Sequence, residues 1–192
     1  MGCAGEMRRR NTTLYYRRKR WSDKGVFARI MAGLAAEHVE EKTVMIDATY
    51  LKAHRTATSL AAKKGGRGCL IGRTKGGMNT TLHAISDSQG RPLNLFVMAG
   101  QVSDYIGARA LLSSLPKVDW LFGDRDYDAG WFREVLKDKG IRACIPGRKQ
   151  RKTTTKYDKR RYKRRNRIEI MFGRLKDRRR VAPRYGQCPK VF

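Results

Sequence analysis

Apolar and polar positions along this chain change period several times, and each change predicts an element. Gly25 to Leu34 carries apolar residues at helical spacing, with Phe27, Ile30 and Leu34 on one stripe. Thr43-Val44-Met45-Ile46 is a short β-rich run ending at Asp47. Residues 59–79 are rich in Gly and Lys and read as a loop. Thr80 to Ser86 and Pro92 to Met98 read as two strands joined by the turn Asp87-Ser88-Gln89-Gly90. Ser103 is placed to cap a helix running through Ala108, Leu111, Leu112 and Leu115 and stopped by Pro116. Val118 to Phe122 reads as a buried strand with Asp124 at its end. Asp128 is placed to cap a helix through Trp131, Phe132, Val135 and Leu136, which Gly140 closes. Ile141 to Ile145 is a last strand, residues 148–161 a basic linker, and Tyr162 to about Arg180 a final helix. The order β, hairpin, α, β, α, β, α predicts an α/β fold: a mixed sheet flanked by helices, because crossover helices cover parallel strands.

Charge adds a partner class to this picture. Lys and Arg number 44 against 17 Asp and Glu in 192 residues, a net +27. Such an imbalance opposes compaction unless a polyanion neutralises it, and nucleic acid is the obvious polyanion. Residues 148–180 hold 17 of these cations against Asp158, Glu169 and Asp177. They are expected to line a DNA groove, with Arg160, Arg161, Lys163 and Arg164 among the contacts. Residues 1–40, with Arg8-Arg9-Arg10 and Arg17-Arg18-Lys19-Arg20, read as a basic helical segment suited to nucleic acid, and residues 41–192 as the α/β domain. No apolar run approaches the roughly 18 residues of a membrane span, and no secretory signal opens the chain. Cys3, Cys69, Cys144 and Cys188 form no C-x-x-C pair, which fits reduced thiols in a cytoplasm.

Acids are scarce, so their positions carry information. Asp47 and Asp124 each follow an apolar strand, where ligand and catalytic groups of such sheets gather. Either could be an ordinary partner of Arg or Lys. With a third acid on a helix, hard oxygen ligands for Mg²⁺ or Mn²⁺ become the better reading. At about 100° per residue with Tyr162 at 0°, Arg165, Glu169 and Lys176 fall near 300°, 340° and 320°. Ile168, Met171, Phe172 and Leu175 fall near 180–280° and form the adjacent buried stripe. Glu169 is therefore either a site acid at the edge of that stripe or one half of a helix pair with Arg165. His54 and His83 read as packing or hydrogen-bonding residues rather than ligands.

The helix Tyr162-x-x-Arg165-x-x-x-Glu169-x-x-x-x-x-x-Lys176 resembles the Y-(2)-R-(3)-E-(6)-K signature of DDE transposases of the insertion-sequence-4 and insertion-sequence-5-like groups. Met45 to Arg55 resembles the segment of the first Asp. Gly72-Arg73-Thr74-Lys75-Gly76-Gly77 with Thr81-Leu82-His83-Ala84 resembles G-R-S-R-G-G…K-x-H-A. Gly123-Asp124-Arg125-Asp126-Tyr127-Asp128 resembles A-D-K-G-Y-D, with Asp126 in place of Gly, which leaves the choice among Asp124, Asp126 and Asp128 open. The resemblance covers about residues 11–187. It implies a ribonuclease H-like fold, and two Mg²⁺ (or Mn²⁺) ions held by Asp47, Asp124 and Glu169 for cleavage and strand transfer. It also implies that Tyr162, Arg165 and Lys176 contact DNA near the element ends.

The expected protein is an insertion-sequence transposase acting on double-stranded DNA, both element ends and target, with self-association on DNA. A non-catalytic nucleic-acid-binding remnant or regulator and a different ribonuclease H-like nuclease are the rival readings. The short N-terminal segment, and an ending at Cys188-Pro189-Lys190-Val191-Phe192 without an apolar helix, suggest a partial chain. An upstream-frame product could supply the front half.

Overall fold

The computed structural model describes residues 13–14, 16–36, 42–58, 70–151, 154–178 and 181–184. Expectations for the first twelve residues, for Cys3, Cys69 and Cys188, and for the C-terminal Cys188 to Phe192 lie outside the described residues. Helical residues 16–23 are followed by α1 (Val26–Ala36). The strands are β1 (Thr43–Ala53), β2 (Gly72–Thr74), β3 (Gly77–Asp87), β4 (Pro92–Ala99), β5 (Trp120–Phe122), β6 (Arg142–Cys144) and β7 (Pro183–Arg184). Between them run α2 (Asp104–Leu111), α3 (Gly130–Asp138), the short α4 (Lys159–Tyr162) and α5 (Asn166–Lys176).

The sheet is mixed. β3 is antiparallel to both β1 and β4, while β5 is parallel to β1 and β6 is parallel to β5. β2 and β4 pair with β3, and β5 and β7 pair with β1. Alternation along β1 sends side chains to two faces. Val44 and Ile46 join Ile85, Leu121, Ala108, Leu111, Phe132 and Leu136 on the face covered by α2 and α3. Met45 and Leu51 join Leu82, Phe122, Ile168, Met171 and Phe172 on the face covered by α5. The stripe expected on α5 is thus buried, and it fixes which flank of that helix turns toward the strand ends.

Three expectations are corrected. The segment read as loop up to residue 79 contains β2 and the start of β3, closed by a tight turn in which Gly77 takes φ +98°. Its Gly-rich pairing rests on backbone bonds, so it shows no hydrophobic alternation, and only glycine adopts that φ without a steric penalty. Asp128 does not cap α3, because Ala129 holds that position; Ser103 does hold the N-cap position of α2, through its carbonyl rather than a side-chain cap bond. The final helix is not uniform: α4 leads through a 3₁₀ turn, Lys163–Arg165, into α5. α1 lies beside β4 yet buries none of its residues, and Phe27, Ile30 and Leu34 stay exposed.

Candidate active site

The strand register brings two carboxylates together. The strand expected to end at Asp47 instead runs on to Ala53, its second half held by pairing with β3. Met45 pairs with Phe122 in parallel, so two residues further on Asp47, inside β1, and Asp124, just past the end of β5, stand side by side. Both share parity with side chains packed under α5, Met45 for Asp47 and Phe122 for Asp124, so they face the same helix. From that helix and the 3₁₀ turn before it come Glu169 and Arg165.

Arg165 holds the acids as a group. One terminal nitrogen lies 2.9 Å from Asp47 Oδ2 and 3.8 Å from Asp124 Oδ2. The other donates to Glu169 Oε1 at 2.7 Å. The Arg165 side chain is only 12% exposed, and its Nε is buried without a partner. Asp47 also accepts from the backbone N–H of Ala48 at 2.9 Å, and Asp124 accepts from that of Asp126 at 3.0 Å. Of Asp124, Asp126 and Asp128, only Asp124 meets this guanidinium. Asp126 is exposed.

Burial raises the Asp47 carboxyl to about 6, against the opposing pull of Arg165, and the neighbouring Asp124 adds to the rise. Asp124 is raised by burial first, with Arg165 lowering it and Asp126 raising it. Two residues that the sequence reading did not single out join the cluster. Asp104, at the start of α2, is raised to about 6 by burial and by the charges of Asp124, Asp126 and Asp47. Tyr127 is buried, its hydroxyl has no hydrogen-bond partner, and burial with the charges of Asp104, Asp47 and Asp124 holds its proton on well above the ordinary value. Tyr127 was visible in the Gly123–Asp128 motif. Asp104 left no signal beyond its place at a helix start.

The basic residues divide. Tyr162 packs edge-on against Tyr157 and lies close enough to Arg165 to hydrogen-bond with it. Lys176 donates to Thr49 Oγ1, two residues beyond Asp47 on the same face of β1. Arg160, Arg161, Lys163 and Arg164 are exposed. Arg161 lies over the Trp120 ring, with its guanidinium carbon 4.6 Å from the centroid, and pairs with Asp158 at 3.3 Å. Lys163 and Arg164 stand on the other flank of the helix. His83 is buried, stacked on Phe96 at 4.8 Å, and held neutral by burial, which lowers it to about 4. His54 begins a single helical turn by accepting from the Ala57 N–H through its carbonyl.

The donor set fits a hard divalent cation, since three carboxylates converge on one positive charge. Here that charge is the guanidinium. Among the described residues no three His, Cys, Asp or Glu side chains are already gathered tightly enough to grip an ion. Glu169 is 53% exposed and reaches inward only as far as Arg165, so of the three acids it stands furthest from the strand pair.

Two adjacent strands and one helix thus bring three carboxylates around a single, mostly buried arginine. Residues 39–186 match the family model described as the transposase DDE domain, and the chain belongs to that family. It is 36% identical over 116 residues to a Brucella ovis protein named as a candidate transposase for insertion sequence element IS6501, covering 60% of this chain and 87% of the relative. Similar solved structures include the piggyBac transposase synaptic complex with hairpin DNA (TM-score 0.40, 14% identity, 58% of this chain) and the Mos1 strand transfer complex (TM-score 0.35, 15% identity, 66% of this chain). The chain spans 24% and 39% of the length of those two.

Proposed function

We propose that this chain performs the DNA chemistry of an insertion sequence of the insertion-sequence-5-like group, on a ribonuclease H-like sheet, with Asp47, Asp124 and Glu169 as ligands of two Mg²⁺ (or Mn²⁺) ions. The observation that carries this reading is the convergence of those three carboxylates on the Arg165 guanidinium. Bound divalent ions would supply charge for an attacking water or 3′-hydroxyl and for the leaving oxygen in line with it. In the first reaction water attacks a phosphorus at the element end, the P–O3′ bond breaks, and the strand is left with a 3′-hydroxyl. In the second, that 3′-hydroxyl attacks a target phosphodiester and releases a target 3′-hydroxyl.

The chain's own residues have separate tasks in this scheme. Asp47, held in a buried position by the Ala48 N–H, and Asp124, held by the Asp126 N–H, form the fixed part of the cluster. Glu169 is the adjustable part. Arg165 balances their charge before substrate arrives, and a phosphate offers it an alternative bidentate acceptor. Lys176 and Tyr162, beside the same cluster, would position the strand. Partners are double-stranded DNA ends and target, with self-association on DNA. Residues 1–40 would form a basic DNA-binding segment ahead of a catalytic domain over 41–192. No helix among the described residues is long and apolar enough to cross a membrane. A nucleoid location follows from the DNA partner.

The test is substitution of each acid. Asp47→Asn, Asp124→Asn and Glu169→Gln should each abolish metal-dependent nicking of a duplex carrying the element's own ends, while DNA binding persists. Activity kept in Asp124→Asn but lost in Asp126→Asn would overturn the ligand assignment.

A further inference from the structure

The flank of α5 turned away from the acids carries a second set of cations. At about 100° per residue within α5, Arg167 and Arg174 lie near 120–140°, whereas Glu169 and Lys176 lie near 320–340°; Lys163 and Arg164, in the 3₁₀ turn, and Arg178, just past the helix, line the same flank. The buried stripe lies between the two flanks. A groove of about 620 Å³ opens there, between the helix and the β3–β4 turn. Six cations line it: Arg91, Lys163, Arg164, Arg167, Arg174 and Arg178. No carboxylate does. Arg91 is paired with Asp87, but Lys163, Arg164, Arg174 and Arg178 have no ion-pair partner among the described residues.

The opposite wall is built, not incidental. Buried Asp87 accepts from the N–H groups of Gln89 and Arg91 and from Arg91 Nε, which fixes the turn. Gly90 sits at φ +83°, and a Cβ there would come within 2.8 Å of the Arg167 carbonyl oxygen, so turn and helix meet backbone to backbone. Arg167 also donates to Gln89 Oε1 at 2.8 Å. The floor between the cations is apolar, from Ile170, Met171 and Leu175.

With Arg91 already answered by Asp87, gathering the other five like charges around one trough is unfavourable unless an anion neutralises several at once. At about 1.5 Å per residue, Lys163 to Arg178 extends about 22 Å, and one strand of B-DNA presents a phosphate about every 3.4 Å, so roughly six phosphates lie along that length. We propose that this groove is a second track for the sugar–phosphate backbone of duplex DNA, gripping a stretch away from the phosphate undergoing reaction. The proposal rests on the transposase reading, because that reading supplies the DNA.

The experiment follows anisotropy of a labelled random-sequence duplex of about 30 base pairs, bound to the full chain, as salt rises from about 50 to 300 mM. The combined variant Arg167→Ala, Arg174→Ala and Arg178→Ala should flatten the log–log salt slope by about 2.7, three contacts at about 0.9 each. It should also keep the wild-type nicking rate at saturating protein, because its side chains do not face the acids. An unchanged slope with tight wild-type binding overturns the groove alone. A wild-type chain that binds no duplex overturns the transposase reading with it. Should the combined variant fail to fold, a benzophenone side chain at position 170, where Ile170 is 46% exposed, reports directly. Adducts with the duplex support the track. Adducts only with a second copy of the chain, or only with residues 185–192, overturn it.

Discussion

A buried carboxylate keeps its charge only while donors or a cation face it. Asp47 has one backbone donor and Arg165, and it is still raised to about 6. Asp104 is in a harder position, since after burial its largest neighbours are the negative charges of Asp124, Asp126 and Asp47. Its folded value of about 6 lies above the ordinary 3.8, so the fold favours the protonated form. Its contribution to stability is therefore fully present below about pH 4 and is lost as pH rises through 6. Asp104→Asn removes the charge at constant shape. In the absence of divalent ions, this variant should melt above wild type at pH 8, with the gap narrowing as pH falls and closing below about pH 4, followed by scanning fluorimetry. A gap that does not change with pH would show that Asp104 does not sit in the field of the acids. Asp47 and Asp124 were legible because an apolar run stops at each of them, although β1 itself continues through Asp47 to Ala53. Asp104 was not, because its closeness to Asp124 comes from α2 packing over the sheet, which no local pattern records.

Among elements, α3 shows how a correct boundary can hide a wrong role. Asp128 stands where a cap would stand, and the helix does begin close to it. Yet its carboxylate is buried and accepts from Arg133 Nε, Arg151 Nη1 and the Arg148 N–H, all at 2.7–2.8 Å. Those bonds hold its proton off below the ordinary range and tie the segment after β6 back onto α3. Loss of an ordinary cap costs about 1 kcal/mol. Breaking a buried ion pair by removing one partner costs about 3–5 kcal/mol. Asp128→Ala should therefore lower the unfolding free energy by about 3–5 kcal/mol, read from the midpoint and slope of a denaturant titration. A loss near 1 kcal/mol would return Asp128 to the cap role. The β3–β4 hairpin, which sequence periodicity placed well, packs into the core clusters, as do the apolar start of β1 and the stripe of α5, though β1 runs past Asp47 to Ala53 and α5 spans only Asn166–Lys176. β2 escaped because backbone pairing, not apolar alternation, holds it.

For the molecule as a whole, the net charge of +27 sets two opposing responses to salt. Without DNA, self-repulsion weakens the compact state, and it is screened as the Debye length falls from about 10 Å at 0.1 M to about 3 Å at 1 M. The melting temperature of the free chain should therefore rise with salt. With excess duplex the sign reverses. A ligand that prefers the native state stabilises it by RT ln(1 + [L]/Kd), and each phosphate contact makes Kd worsen with salt at a log–log slope of about 0.9. The duplex also binds the unfolded basic chain, which reduces the gain but does not remove it, because only the folded chain aligns its cations along one track. Two series of thermal melts, with and without duplex, should start far apart at low salt and converge as salt rises, one climbing and the other falling. Parallel curves would mean that DNA meets the folded chain no better than the unfolded one, and that the clustering of basic side chains on α5 serves no bound strand.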